Sequence, residues 1–217
     1  MDESKANELV LGFDAKLMYG FTGLMDEDLG FHGVSDRDSD RRWLNSCLKR
    51  SYLMPRGAVE DDSSFKQIIP YVVMRNGSKI FSYCRKGSEE RLHDKVSIGI
   101  GGHINSVDSP NNLLKAPQAA AKRELREEVE VIGAKASDLL QIHSWFSVPP
   151  LVLYDPTDAV GEVHIGVVYI LNFSGEVAAK ISMQEEGYNT SWKMKDQLKG
   201  ENLESWSRIL IESGRCL

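Results

Sequence analysis

One arrangement constrains this chain more than any other: a strand signal that runs straight into a glycine pair, then a polar loop, then a helix with an acidic face. Val96-Ser97-Ile98-Gly99-Ile100 leads into Gly101-Gly102, and the helical segment reads A-P-Q-A-A-A-K-R-E-L-R-E-E-V-E-V from Ala116 to Val131. Pro117 suits a first helical turn, and the three alanines after Gln118 favour helix strongly. At about 100° per residue, Glu124, Glu127 and Glu128 share an arc of about 100°, and Ala121, Leu125 and Val129 fill the neighbouring one. One stripe is built for a core, and the other is acidic.

Three carboxylates held this close repel one another, by roughly 4 kcal/mol per pair at ~4 Å and an effective dielectric near ~20. Arg123, at the edge of the arc, relieves only part of that. Taken by itself, an E-x-x-E-E helix is a solvated face balanced by Lys122, Arg123 and Arg126. The glycine pair changes the balance, because a backbone without side chains can approach a cation or a phosphate closely and lend it a carbonyl. A hard divalent ion such as Mg²⁺, which takes oxygen ligands and leaves positions for water and phosphate, is the partner this chemistry favours.

The remaining pattern places these motifs in an α+β or α/β chain with a mixed sheet. Gln67 to Met74 is rich in β-branched residues, Asn76-Gly77 is a tight-turn signal, and Lys79 to Cys84 alternates again, which predicts a hairpin. Gln141 to Val148, Val163 to Phe173 and, more weakly, Tyr188 to Met194 predict further strands, and helices are expected at Lys195 to Leu198 and Asn202 to Glu212. Residues 1–62 are expected to form an extension or lobe on a main domain of residues 63–217, with a loop over Ser35 to Arg42 and an amphipathic helix over Trp43 to Leu53. That extension could serve as a lid, a separate lobe or a homodimer contact.

With 26 Lys and Arg against 32 Asp and Glu, a net charge of −6 provides no basic surface for nucleic acid or an anionic membrane. The three cysteines, Cys47, Cys84 and Cys216, are dispersed and form no C-x-x-C pair, which argues against a disulfide framework or a zinc site and favours a reducing cytoplasm. Neither a signal peptide nor a membrane-length apolar run is apparent.

The strand, glycine pair and acidic helix together resemble the signature of the Nudix hydrolases, G-x5-E-x7-R-E-U-x-E-E-x-G-U, with U a bulky aliphatic residue. Its second half is matched by Arg123-Glu124-Leu125-Arg126-Glu127-Glu128. There are three departures. Gly102 and Arg123 lie twenty-one positions apart rather than fourteen, so a seven-residue insertion falls most simply within Asn105 to Asn112. Lys115 stands where the first glutamate is expected, and Glu130 replaces the later glycine, with Gly133 as a displaced helix stop. Phe65 to Tyr71, Glu90 to His93 and Ser97 to Asn105 are also similar to a bacterial and phage branch of that superfamily, predicted phosphoesterases without an assigned substrate.

The resemblance implies the α/β/α sandwich of the Nudix fold, a mixed β-sheet between helices. It also implies hydrolysis of a nucleoside diphosphate derivative by attack of a water activated by Mg²⁺ or Mn²⁺. Carried over residue by residue, Glu127, Glu128, Glu124 and the Gly101 carbonyl become metal ligands, Glu124 a ligand or base, and Arg123 the group that orients the glutamates. An additional acid is sought in Glu162, ranked above Glu185 and Glu186. His103, Arg85 and Arg91 are candidates for the substrate's anionic groups, as is Lys66, although a surface charge is the simpler expectation for Arg85, Arg91 and Lys66. Tyr71, Trp145 and Phe146 could stack on a base, but core packing is the simpler expectation for strand aromatics; His164 is expected to be structural. Two competing readings remain open. One is a nucleotide-binding module that has kept the fold and lost catalysis. The other is a prenyl diphosphate isomerase, for which Cys84 would have to lie in the pocket.

Overall fold

The computed structural model describes residues 3–21, 24–26, 30–86, 94–108, 111–131, 150–157, 159–173, 181–184 and 187–215, with side chains described from residue 33 onward in the second strand pair. In chain order the elements are α1 (Glu3–Ala6), β1 (Leu9–Asp14), β2 (Leu24–Asp26), β3 (Gly30–Ser35), α2 (Asp38–Leu48), β4 (Tyr52–Pro55), α3 (Arg56–Val59), β5 (Phe65–Asn76) and β6 (Lys79–Arg85). They continue with β7 (Val96–Ser97), β8 (Gly99–Gly101), α4 (Ala116–Glu128), β9 (Val129–Val131), β10 (Leu151–Tyr154), α5 (Ala159–Val163) and β11 (His164–Phe173). The last elements are β12 (Ile181–Met183), β13 (Gly187–Met194), α6 (Lys195–Leu198) and α7 (Ser205–Ser213). Strands and helices interleave throughout, so the α+β reading holds. The chain forms two compact units: Met1–Pro70 with Gly102–Ala121 and Pro150–Val168, and Tyr71–Gly101 with Lys122–Pro149 and Tyr169–Leu217. The chain passes from one to the other within β5, α4 and β11.

In the first unit the strand order is β5-β11-β10-β3-β2, and β1 pairs with both β4 and β5. The register Gly12↔Gln67, Phe13↔Lys66 and Asp14↔Phe65 ties the N-terminal strand to β5. Gly12 is required there, since a Cβ would drive into the Phe65 ring and the Lys66 carbonyl. The segment Ser35 to Arg42 is not a loop over its length. Helix α2 begins at Asp38, and its first turn carries Asp38 and Asp40, where carboxylates favour a helix start. Its buried face, Trp43, Leu44, Cys47 and Leu48, packs Trp43 edge-on to Phe13 at 5.9 Å and beside Phe21 at 5.0 Å. The indole N–H donates to the Leu17 carbonyl at 2.6 Å.

In the second unit β13-β6-β5 run side by side, β7 pairs with β6, and β8 pairs with β5. The hairpin forms as expected, but its two connecting residues are Gly77 and Ser78. Asn76 pairs with Lys79 at the end of the ladder, and Gly77 takes φ +58. Only a residue without a Cβ enters that region at no steric cost, so the turn is centred on Gly77-Ser78 rather than Asn76-Gly77. The expected single strand over Val96 to Ile100 is two short ones, and the chain changes partner at buried Ile98 from β6 to β5. A Cβ on Gly99 would enter the Tyr71 ring. The helix expected to reach Val131 ends at Glu128. Val129-Glu130-Val131 is instead a strand antiparallel to β12, with Val129 buried and Glu130 exposed, as the two-residue alternation of a β-branched pair favours. The expected strand at Gln141 to Val148 and the stop at Gly133 lie outside the described residues.

Candidate functional site

The acidic helix is present, with its stripes arranged as the periodicity predicts. Ala116, Ala120, Ala121 and Leu125 are buried. Asn112 starts the segment by accepting the Leu114 N–H at 3.2 Å, in a short 3₁₀ turn, Leu113–Lys115, that leads into α4. Lys115 is exposed. At the other end Gln184, just past β12, closes the helix: its backbone N–H donates to the Glu128 carbonyl at 2.8 Å, and its side-chain amide to the carbonyls of Arg126 and Val129 at 3.2 and 3.3 Å. These carbonyls belong to the turn that carries Glu127 and Glu128, so their backbone is held from outside the helix. Sequence reasoning missed Gln184, since its role depends on β9 and β12 pairing.

The three carboxylates differ in surroundings. Glu124 is 9% exposed and receives Arg123 Nη1 at 2.6 Å; the same nitrogen reaches Glu127 at 3.0 Å, whose side chain is about half exposed. The Glu128 Oε2 atom is buried. Arg123 thus ties two of the three glutamates together. Among the described residues no three His, Cys, Asp or Glu side chains are gathered into a ready metal cage. The donor set still fits a hard divalent ion. It consists of carboxylate oxygens on successive turns, partly neutralised by one guanidinium.

Strand β8 lies in the same unit as this helix segment. Tyr83 donates to the Gly99 carbonyl at 2.9 Å. Burial pushes the Tyr83 phenol pKa up; Arg85 counteracts this, while Glu204 and Glu128 add to it through their negative charge. Gly101 pairs with Tyr71 across the β5–β8 ladder. Beneath that ladder lies a closed network around Glu204, the residue preceding α7. The hydroxyls of Tyr71, Ser97 (3.1 Å) and Ser207 (2.8 Å) all donate to its Oε1. Ser97 also accepts the Gly99 N–H at 3.3 Å, and Ser207 accepts the Ile98 N–H at 3.0 Å. Tyr71 is therefore a core residue, not a stacking platform.

In the first unit, Glu162 is exposed and sits in α5 rather than in a loop. Its carbonyl accepts Lys66 Nζ at 2.5 Å and the Tyr154 hydroxyl at 3.4 Å. Lys66 is not the surface charge the sequence suggests, being only 5% exposed. His164 is mostly buried and its Nδ1 donates to the Val160 carbonyl at 2.6 Å, while the His103 ring lies edge-on to it at 5.5 Å. Cys84 is half-buried. Arg91, Glu185, Glu186, Trp145 and Phe146 lie outside the described residues. No described helix is long and apolar enough to cross a membrane.

No family model matches the chain. It is 30% identical to Protein YmaB of Bacillus subtilis (strain 168) over 193 residues, which cover 86% of this chain and 89% of that one. The crystal structure of Tm1382, described as a candidate Nudix hydrolase, superposes with a TM-score of 0.65 at 21% identity, over 95% of this chain and 97% of that one. The chain therefore belongs to the family of YmaB, and its fold is the Nudix fold.

Proposed function

We propose that the protein is a metal-dependent hydrolase that cleaves a pyrophosphate bond in a nucleoside diphosphate-linked substrate. The observation that carries this reading is the α4 carboxylate stripe of Glu124, Glu127 and Glu128, held by Arg123 and Gln184 in a chain with the Nudix fold. Glu124, Glu127, Glu128 and the Gly101 carbonyl would hold Mg²⁺ or Mn²⁺, which supplies a water acidic enough to attack phosphorus near neutral pH. Glu124 would serve as a ligand of that ion or as the base of the reaction, with Arg123 holding its position. Arg85 would meet the substrate's negative charge.

The test is a panel of nucleotide sugars, dinucleotides and nucleoside triphosphates, with and without Mg²⁺. Glu128→Gln is expected to lower turnover at least about 100-fold, the scale of losing one group that acts on developing charge, without lowering the melting temperature. Turnover that survives this change would refute the assignment. A second reading, nucleotide binding without catalysis, is favoured by one observation: Arg123 already occupies two of the three acids, and among the described residues no cage is pre-gathered. Tight nucleotide binding with no turnover in either metal would select it.

A further inference from the structure

Wholly within the second unit, at the end of the β5–β6 hairpin, lies a cleft of about 230 Å³ lined by Arg75, Ser78, Met194, Lys195 and Asp196. Strand pairing assembles it from three segments. Arg75 stands two residues before the turn and Ser78 within it, while Asn76 and Met194 both pair with Lys79, which brings the start of α6 to the hairpin. The lining carries two cations against one carboxylate. In a chain of net charge −6, that is a local reversal of sign.

The donors of this cleft are undersupplied with acceptors. Arg75 is half-buried; its Nη2 donates to the Gly77 carbonyl at 3.3 Å, while its Nε is fully enclosed and meets no acceptor. A guanidinium cannot shed its charge to escape burial, so an enclosed N–H on it calls for an acceptor. Lys195 is also half-buried and has no carboxylate partner among the described residues, because its neighbour Asp196 turns to Lys199 at 3.5 Å. Gly214, which ends α7 at φ +69, passes beside the ammonium: a Cβ there would stand 3.3 Å from Lys195 Nζ. The negative end of α7 attracts that cation and keeps it at the cleft. The Ser78 hydroxyl donates to the Met194 thioether at 3.4 Å, a weak acceptor that a stronger one displaces.

We propose that Arg75, Lys195 and Ser78 form a binding site for a small tetrahedral oxyanion of the phosphate class. Its oxygens supply acceptors to the Arg75 Nε–H, the Lys195 ammonium and the Ser78 hydroxyl, and the first two are charge-assisted bonds, the strong class. The guanidinium fixes direction and the ammonium adds a mobile point charge. The cleft is smaller than the roughly 300–1,000 Å³ that encloses a drug-sized ligand, so the occupant is compact: the free ion, or the phosphate end of an ester whose remainder stays outside. Asp196 opposes an anion, but it is 93% exposed and shared with Lys199, so water screens it. None of the five lining residues belongs to the α4 stripe, and the proposal does not rest on the hydrolase reading.

The experiment is a titration of the full chain with inorganic phosphate and with methyl phosphate, in EDTA so that no divalent cation can carry the anion to the α4 glutamates. It is followed by calorimetry and by the methyl resonance of Met194, which lines the cleft. Saturable binding that moves the Met194 signal is expected, weakened at least about tenfold by Arg75→Gln, the scale of one charge-assisted hydrogen bond. Lys195→Gln, in the short surface helix α6, is expected to weaken it by a similar factor and serves where the arginine variant does not fold. Tighter binding of methyl phosphate supports the site and assigns it to a phosphate ester; tighter binding of inorganic phosphate supports it and assigns it to the free ion. An affinity unchanged in the folded variants, or a Met194 signal that stays still at tens of millimolar of either anion, overturns the site.

Discussion

Glu204 and Lys66 are both ionisable and almost fully enclosed, 6% and 5% exposed, yet the protein surrounds them in opposite ways. Around Glu204, in the second unit, three hydroxyls converge on one carboxylate oxygen, and their spare acceptor capacity is used by the Gly99 and Ile98 N–H groups. Around Lys66, in the first unit, there is one carbonyl and a ring face. A saturated buried network fixes backbone, here the β7–β8 segment that ends in Gly101. An undersupplied buried charge is a cost to folding unless something else repays it. The contrast sets a network that holds backbone in place against a charge whose enclosure weighs on folding.

The largest expected effect that could break this contrast is at the saturated site. Glu204→Ala removes the acceptor that three buried hydroxyls share and is expected to cost about 3 kcal/mol in urea unfolding. A midpoint equal to wild type would mean the network is not what holds β8. Next comes Gly99→Ala, which places a methyl within the Tyr71 ring and is expected to cost about 2 kcal/mol as an overpacked core site. The accompanying displacement of β8 should also lower hydrolysis if Gly101 serves the site.

The smallest effect is at Lys66. Lys66→Met replaces an enclosed ammonium with an apolar chain of similar length, and stability at pH 7 is expected within about 1 kcal/mol of wild type, or above it. The sign with pH follows from the lowered pKa. Between the folded value and the unfolded 10.5, the unfolded chain binds more protons, so wild-type stability rises with pH. Any advantage of the methionine variant should shrink across that window. Thermal melts from pH 7 to above 10.5 would check this, and an advantage that grows with pH would contradict it.

Much of the second unit was legible because its signals are local. The period of α4 placed three acids beside a core stripe, and the β-branched run before Asn76-Gly77 announced the hairpin, misplaced only by one residue at the turn. Where competing local signals met, the pairing partner decided. Val129 and Val131 continue a helical pattern on paper, yet β12 takes them as a strand. The N-terminal strands β1 to β4 were not read, since Leu9 to Asp14 contains a glycine and no clean alternation, and only β5 supplies the ladder that justifies them.

The site divides along the same line. Which carboxylates share one face of α4 was written into the spacing of Glu124, Glu127 and Glu128, because helical geometry converts sequence separation into angle. The enclosure of Lys66, the hold of Gln184 on the helix end and the convergence of Tyr71, Ser97 and Ser207 on Glu204 were decided only by tertiary structure. Each depends on residues far apart in the chain whose meeting is set by strand pairing, and burial, which makes a lone charge costly or a network cooperative, exists only once the chain has closed around them.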